Sequence, residues 1–257
     1  MYGGSCYTNP SITNSEGTHT DWELPHLVAP ANNLTIHGNT NLLGTSFAAP
    51  QVAGIAAQML EKNSNFQAWS EVMRSILILT ADEDVDGTAL NMNDSVDDQD
   101  GSGEVRGDLA VSMSASSIHV NGGNTAVAAG YDYGSLSSSD PAEGDDYSEV
   151  YHAKTTSSGT KLRAVLVWDA STSCTNITVP DGESCTTSTL DADVDLYVYR
   201  HSDSALVAYS DTYASNYEFI EFAADANTEY DIKVYAYHWF GSSTYFGLSW
   251  LFSTYND

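Results

Sequence analysis

Gly44-Thr45-Ser46-Phe47-Ala48-Ala49-Pro50-Gln51-Val52-Ala53-Gly54 is the stretch on which the reading of this chain turns. From Ser46 to Leu60 the sequence is apolar nearly all round and rich in Ala and Gly, which predicts a central, buried helix packed closely on its neighbours. Pro50 falls in the first turn, where a missing N–H costs little. Gly44 lets the chain turn sharply and lets another molecule approach the backbone. Ser46 then stands near the positive end of the helix dipole, with a backbone N–H that has no acceptor inside the helix. An anion forming on a carbonyl at that point would be stabilised by the donor. A lone serine before a helix reads as an N-cap; the eleven residues together say more.

Upstream, Leu27-Val28-Ala29-Pro30 is a short apolar run ended by proline, which fits a buried strand leading into a loop. Downstream, Trp69, Val72, Met73, Ile76 and Leu77 recur at helical spacing and predict an amphipathic surface helix. The chain changes character near residue 112. Residues 112–160 are rich in Ser and Gly and read as strands and a linker. Clearer strands follow at Leu162–Trp168, Asp193–Arg200, Tyr217–Phe222, Tyr230–Tyr237 and Phe246–Phe252. In the second of these Val194, Leu196 and Val198 alternate with Asp193, Asp195 and Tyr197, giving one buried and one wet face. The reading is an α/β part over residues 1–111 and an all-β sandwich or jelly roll over 112–257.

The bulk numbers narrow the function. A chain of 257 residues, 42% hydrophobic, buries a sizeable core and is not a disordered segment. No run has the length of a membrane span. Against 35 acidic residues stand 8 basic ones, a formal charge of −27. That surface repels nucleic acid and anionic membranes and attracts cations. Of the three cysteines, Cys174 and Cys185 flank a polar loop and can form a local disulfide; Cys6 is left over. The N-terminal residues have neither the basic region nor the apolar stretch of a signal peptide.

The string at 44–54 resembles the serine motif of subtilisin-like proteases, G-T-S-x-A-x-P-x-V-A-G, at every fixed position. Leu24-Pro25-His26-Leu27-Val28-Ala29-Pro30-Ala31 is similar to the family's K-P-D-x-x-A-P-G segment, departing at Leu24, His26 and Ala31. Residues 69–77, running on to Thr80-Ala81, resemble the helix that follows the serine helix. Val165–Ala170, Asp191–Tyr199 and Tyr217–Phe222 resemble the β-sandwich found C-terminal to the catalytic domain in some secreted subtilases. The resemblance implies a subtilisin-like parallel-sheet domain, present here in part. It also implies a secreted serine endopeptidase working on protein or peptide substrates through an acyl-enzyme, with no cofactor needed for the chemistry. Ser46 would be the nucleophile, and Gly44 and Thr45 would shape the turn beneath the substrate.

Such an enzyme needs a His base and an Asp to orient it. Glu16-Gly17-Thr18-His19 is the nearest to the family's H-G-T-H, but His19 lies too close to Ser46 and Pro25 prevents a long helix after it. His26 and His37 have no motif around them, no D-[ST]-G precedes the serine, and none of Asn9, Asn14, Asn33, Asn39 or Asn41 matches the oxyanion asparagine. The expectation is that the chain begins inside a catalytic domain whose missing N-terminal part supplies these groups. Alone, it would be inactive, and its serine helix would expose apolar surface. Two acidic sets are candidate Ca2+ sites: Asp82, Asp84 and Asp86, in a D-x-D-x-D-G opening, and Asp191, Asp193 and Asp195, on alternate residues of a strand. The reading from another class is a non-catalytic extracellular binding or structural module derived from a protease. Tyr197, Tyr199, Tyr235, Tyr237 and Trp239 would then form its surface.

Overall fold

The computed structural model describes residues 26–82, 101–120, 125–139, 149–158, 160–175, 184–212 and 216–253. In chain order its elements are β1 (Leu34–Ile36), β2 (Asn39–Leu42), α1 (Thr45–Lys62), α2 (Ser70–Leu79), α3 (Gly107–Met113), β3 (Ala129–Ser137), β4 (Glu149–Lys154) and β5 (Thr160–Trp168). They continue with β6 (Ala170–Thr175), β7 (Ser184–Leu190), β8 (Ala192–Arg200), β9 (Ala205–Ser210), β10 (Tyr217–Ala224), β11 (Glu229–Trp239) and β12 (Ser243–Ser253).

β5 sets the architecture. Leu162, Ala164, Leu166 and Trp168 point to one side of it, Val165 and Val167 to the other, and all six are buried. A strand with large apolar side chains on both sides needs cover on both. β5 sits inside a four-stranded sheet of order β10-β5-β12-β3, every pair antiparallel. A second antiparallel sheet, β4-β11-β8-β9, packs over one face. Between the two sheets lie the even residues of β5 with Phe246, Leu248 and Trp250 of β12, Val194, Leu196 and Val198 of β8, and Ile232 and Val234 of β11. Gly130 on β3 leaves room for the Trp250 indole, which would overlap any Cβ there.

Helices cover the other face. Val165, Val167, Tyr131, Tyr217 and Phe219 share a second core with Val72, Ile76 and Leu79 of α2, Met59 of α1, and Phe66. α2 comes down so closely that a Cβ on Gly247 of β12 would overlap the backbone of Glu71 and Val72. At the other end of α2, Arg163 reaches out of β5 and donates from Nη1 to the carbonyl of Ala81 at 2.7 Å. Its Nε lies 3.2 Å from Glu221, and its guanidinium lies over the Phe219 ring. A buried cation just past a helix C-terminus complements the negative end of the dipole.

The five clear strands of the sequence reading are present as β5, β8, β10, β11 and β12, each extended by one to three residues at one or both ends. Residues 112–160, read as strands and a linker, contribute the strands β3 and β4. Two expectations about helices are corrected. α2 is not a surface helix: its run Ile76-Leu77-Ile78-Leu79 is apolar on every side, and all four residues are buried. α1 is not buried all round: among its residues only Met59 is fully buried, and Ser46, Ala49, Pro50, Ala53, Gly54 and Ala57 are exposed. Ala and Gly side chains remove too little area from water to force burial by themselves. Before residue 112 the described strands form the antiparallel β1–β2 hairpin and single-residue bridges, the one from Val28 to Glu104 being parallel. A parallel ladder is not among the described residues.

The close approach at Gly247 makes a test of the helix–sheet contact. Gly247→Ala should cost roughly 1–3 kcal/mol or more by overpacking against backbone and lower Tm by about 5 °C or more. Gly134→Ala, whose Cβ would lie 3.2 Å from the movable Phe246 ring, should cost clearly less. Thermal melts of the two variants compare them directly.

Candidate active site

Gly44 has φ 134° and ψ 150°, a backbone that side chains rarely adopt, and it turns the chain into α1. Its N–H donates to Ala31 O at 2.7 Å, and its carbonyl accepts from Phe47 N at 2.9 Å. Gln51, one turn on, donates from Nε2 to Pro30 O at 2.6 Å and to Phe47 O at 2.7 Å. The apolar segment 27–31 and the serine turn are thus tied together by one backbone and one side-chain bond. Val28 is fixed in turn by Val28 N to Gly103 O and Val105 N to Val28 O. Thr45 and Ser46 open the helix and are both exposed. Ser46 heads the stripe Ala49, Ala53, Ala57, which has no bulky side chain to fence it from an incoming chain. In the segment before α1, Ile36 is 47% and Leu43 50% exposed.

The structure gives no histidine bonded to Ser46 among the described residues. His19 lies outside them. His37 sits at positive φ in the β1–β2 turn, exposed. His26 packs edge-on against Tyr217 with ring centroids 5.0 Å apart. Burial, and secondarily the charge of Arg74, push its pKa down to about 4, so it is neutral at pH 7.

The two acidic sets fare differently. Asp82 is engaged by Arg106 Nη1 at 2.8 Å, while Asp84 and Asp86 lie outside the described residues. Asp191 stands at the bend before β8, where its carbonyl accepts from Phe240 N and Gly241 N. Asp193 and Asp195 share one side of β8 and are 3% and 4% exposed. Among the described residues Asp193 Oδ1 has no hydrogen-bond partner; Asp195 Oδ2 accepts from the Tyr197 hydroxyl at 3.3 Å. Burial first, then the neighbouring Asp211, raise Asp193 to about 7. Burial, then Asp193 and Asp211, raise Asp195 to about 8. Cys174 and Cys185 are Cα partners across β6 and β7.

One polar constellation escaped the sequence reading. His119 Nε2 lies 2.9 Å from Asp132 Oδ1, and the Tyr151 hydroxyl donates to Asp132 Oδ2 at 3.1 Å. The His119 ring stacks on Tyr133, beside a cavity of about 350 Å³ lined by Ser117, Val120, Val127 and others. No local pattern announced it: only the bridge from His119 to Tyr131 brings the imidazole to Asp132.

The raised carboxyls at Asp193 and Asp195 give the fold a measurable pH dependence. Both keep a proton in the fold at pH values where the unfolded chain, with its ordinary value of 3.8, has lost it. The fold therefore binds more protons, and stability contributed by this pair falls as pH rises from about 4 to about 8. Asp195→Asn should flatten that slope. The difference between its Tm and that of the unaltered chain should grow in favour of the variant from pH 5 to pH 8.

The model of the subtilase family, Peptidase_S8, matches residues 5–103, a span that contains Gly44, Thr45 and Ser46. No curated protein matches the chain. Among solved structures, a periplasmic lysozyme inhibitor of g-type lysozyme from Aeromonas hydrophila, PliG, aligns at 12% identity. The alignment covers 53% of this chain and 95% of that one, with a TM-score of 0.29, too distant to carry fold or function. The site's serine therefore lies in the segment that the subtilase family model matches, on a chain whose second half is mostly antiparallel β-structure.

Proposed function

We propose that Ser46 is the nucleophile of a serine endopeptidase whose general base, orienting carboxylate and oxyanion amide come from polypeptide other than the described residues. The observation that carries this reading is the exposed hydroxyl at the head of α1, behind a positive-φ glycine and beside an uncovered small-residue stripe. The family match over residues 5–103 supports it. In the reaction, Ser46 Oγ bonds to the substrate carbonyl carbon while its proton passes to the histidine base. The carbonyl oxygen takes the negative charge and accepts from the Ser46 N–H and the oxyanion amide. Collapse breaks the C–N bond, the amine leaves with the proton from the histidine, and water then hydrolyses the acyl-serine ester. Gly44 and Thr45 form the floor on which the substrate chain rests. The strands after residue 112 steady this unit through α2, and the strongly acidic surface suits a secreted protein. Asp193 and Asp195, buried together with an unpartnered oxygen, suit a Ca2+ ion, which would also hold their protons off.

A second reading rests on the outer face of the sheet β4-β11-β8-β9. Tyr197 lies 6.1 to 6.5 Å from the rings of Tyr199, Tyr209 and Tyr235, and Tyr235 lies 6.4 Å from Tyr237. Tyr209 and Tyr237 are 44% and 53% exposed. A tyrosine surface of this kind suits glycan or protein binding by a module without catalysis.

A fluorophosphonate probe separates the two. On the protein expressed with its upstream reading frame, Ser46 should carry the label, and Ser46→Ala should abolish labelling and lower kcat on the order of a millionfold. Labelling that persists in Ser46→Ala overturns the assignment. Failure to label, together with loss of ligand binding on Tyr197→Ala and Tyr235→Ala, makes the second reading the correct one.

A further inference from the structure

Independently of the chemistry at Ser46, the outer face of the sheet β4-β11-β8-β9 holds a set of side chains with a different use. On β11, Glu229 and Asp231 are two residues apart and so point the same way. The register sets Asp231 opposite His152 of β4 on one flank and opposite Tyr199 of β8 on the other. Two residue pairs further along, Glu229 faces Lys154, and His201 N donates to Glu229 O, continuing the ladder past the end of β8. Two histidines thus stand diagonally across the central strand with two carboxylates between them.

The side chains converge. His152 Nδ1 and His201 Nδ1 each lie 2.8 Å from Asp231 Oδ1. Glu229 Oε1 lies 3.9 Å from His152 Nδ1 and 4.0 Å from His201 Nε2. The rings are 5.4 Å apart and almost perpendicular. One ligand atom from each of His152, His201 and Glu229 lies within 4.8 Å of the others. We infer that these three residues form a binding site for a borderline divalent ion, Zn2+ by donor set. Imidazole nitrogen with carboxylate oxygen is the combination Zn2+ takes, at about 2.0–2.2 Å from each ligand atom, so on binding the donors draw together from separations of up to 4.8 Å. Asp231 has the supporting part. Its bond to His201 Nδ1 supports the tautomer that turns a bare Nε2 toward Glu229, the usual arrangement behind a metal-bound histidine; His152 Nδ1, which faces Glu229, leaves the same Asp231 oxygen to ligate the ion. The ion fastens β4, the edge strand, to β11 and to the turn after β8. The same donors are a poor Ca2+ site, since Ca2+ takes six or more oxygens.

Co2+ titrated into the full chain tests the site, because a four-coordinate Co2+ absorbs in the visible and Zn2+ displaces it. The expected result is one equivalent of visible absorption, bleached by Zn2+ and unaffected by a hundredfold excess of Ca2+, with Zn2+ raising Tm by several degrees. His152→Ala and His201→Ala should each weaken Zn2+ binding more than tenfold, and Asp231→Asn by about 10–100-fold. His119→Ala, at the other histidine–aspartate pair, should leave it unchanged. Circular dichroism verifies that each variant is folded, and exposed His201 is the substitution the fold tolerates best. No visible band, a band that Ca2+ removes, or unchanged affinity in folded His201→Ala would overturn the site.

Discussion

Everything in this molecule depends on a strand buried on both faces. β5 carries Leu162, Ala164, Leu166 and Trp168 to one side and Val165 and Val167 to the other, so the sheet around it must be covered twice. Each large apolar side chain buried this way contributes about 1.5–3 kcal/mol. The second sheet covers one face and α2 the other, with Gly247 allowing helix backbone to touch strand backbone. Arg163 closes the arrangement from within the sheet, joining Glu221 to the end of α2. The helical part and the sandwich consequently share one core, in which Met59 and Phe66 meet Tyr131 and Val165.

That shared core is what holds the serine helix. α1 rests on its neighbours through Val52, Ile55 and Met59, with Ile55 packed against Gly107 at the start of α3. Its other side, headed by Ser46, is open. A helix fixed on one side and bare on the other presents its first-turn amides and its serine together, and small residues let a partner chain come close. The same geometry explains why Gly44 and Gln51 tie segment 27–31 to the turn: the nucleophile's orientation is set by hydrogen bonds to neighbouring chain, not by cover from above.

Much of the sandwich was legible because the apolar run Ala164–Trp168 of β5 is a direct readout of two buried faces, whereas the alternation in β8 found the strand but not its cover, since Asp193 and Asp195 on the expected wet face are 3% and 4% exposed. The serine turn was legible because Gly-Thr-Ser followed by an Ala-rich stretch demands a turn and then a helix, and Thr45–Lys62 forms that helix. The burial of helices was not. Val72, Met73, Ile76 and Leu77 have the spacing of a surface helix, and only the continuation Ile78-Leu79 betrays that α2 is enclosed. α1 reads as buried because composition reports what a helix can bury, whereas exposure depends on which neighbours are present. The carboxylates show a further gap. Spacing put Asp191, Asp193 and Asp195 together, but the bend at Asp191 leaves only Asp193 and Asp195 on the strand. The pairing of His119 with Asp132, and of His152 and His201 across β11, depends on long-range register that no local pattern carries.

The central claim is that Ser46 presents its hydroxyl to a carbonyl and its amide to the resulting oxyanion. A crystal structure of the protein, together with the polypeptide that supplies its base and oxyanion amide, in complex with a peptide boronate tests it most directly. The account predicts a covalent bond from Ser46 Oγ to boron, with a boronate oxygen about 2.7–3.1 Å from Ser46 N. Boron bonded to another residue, or Ser46 turned away from a bound inhibitor, would contradict it.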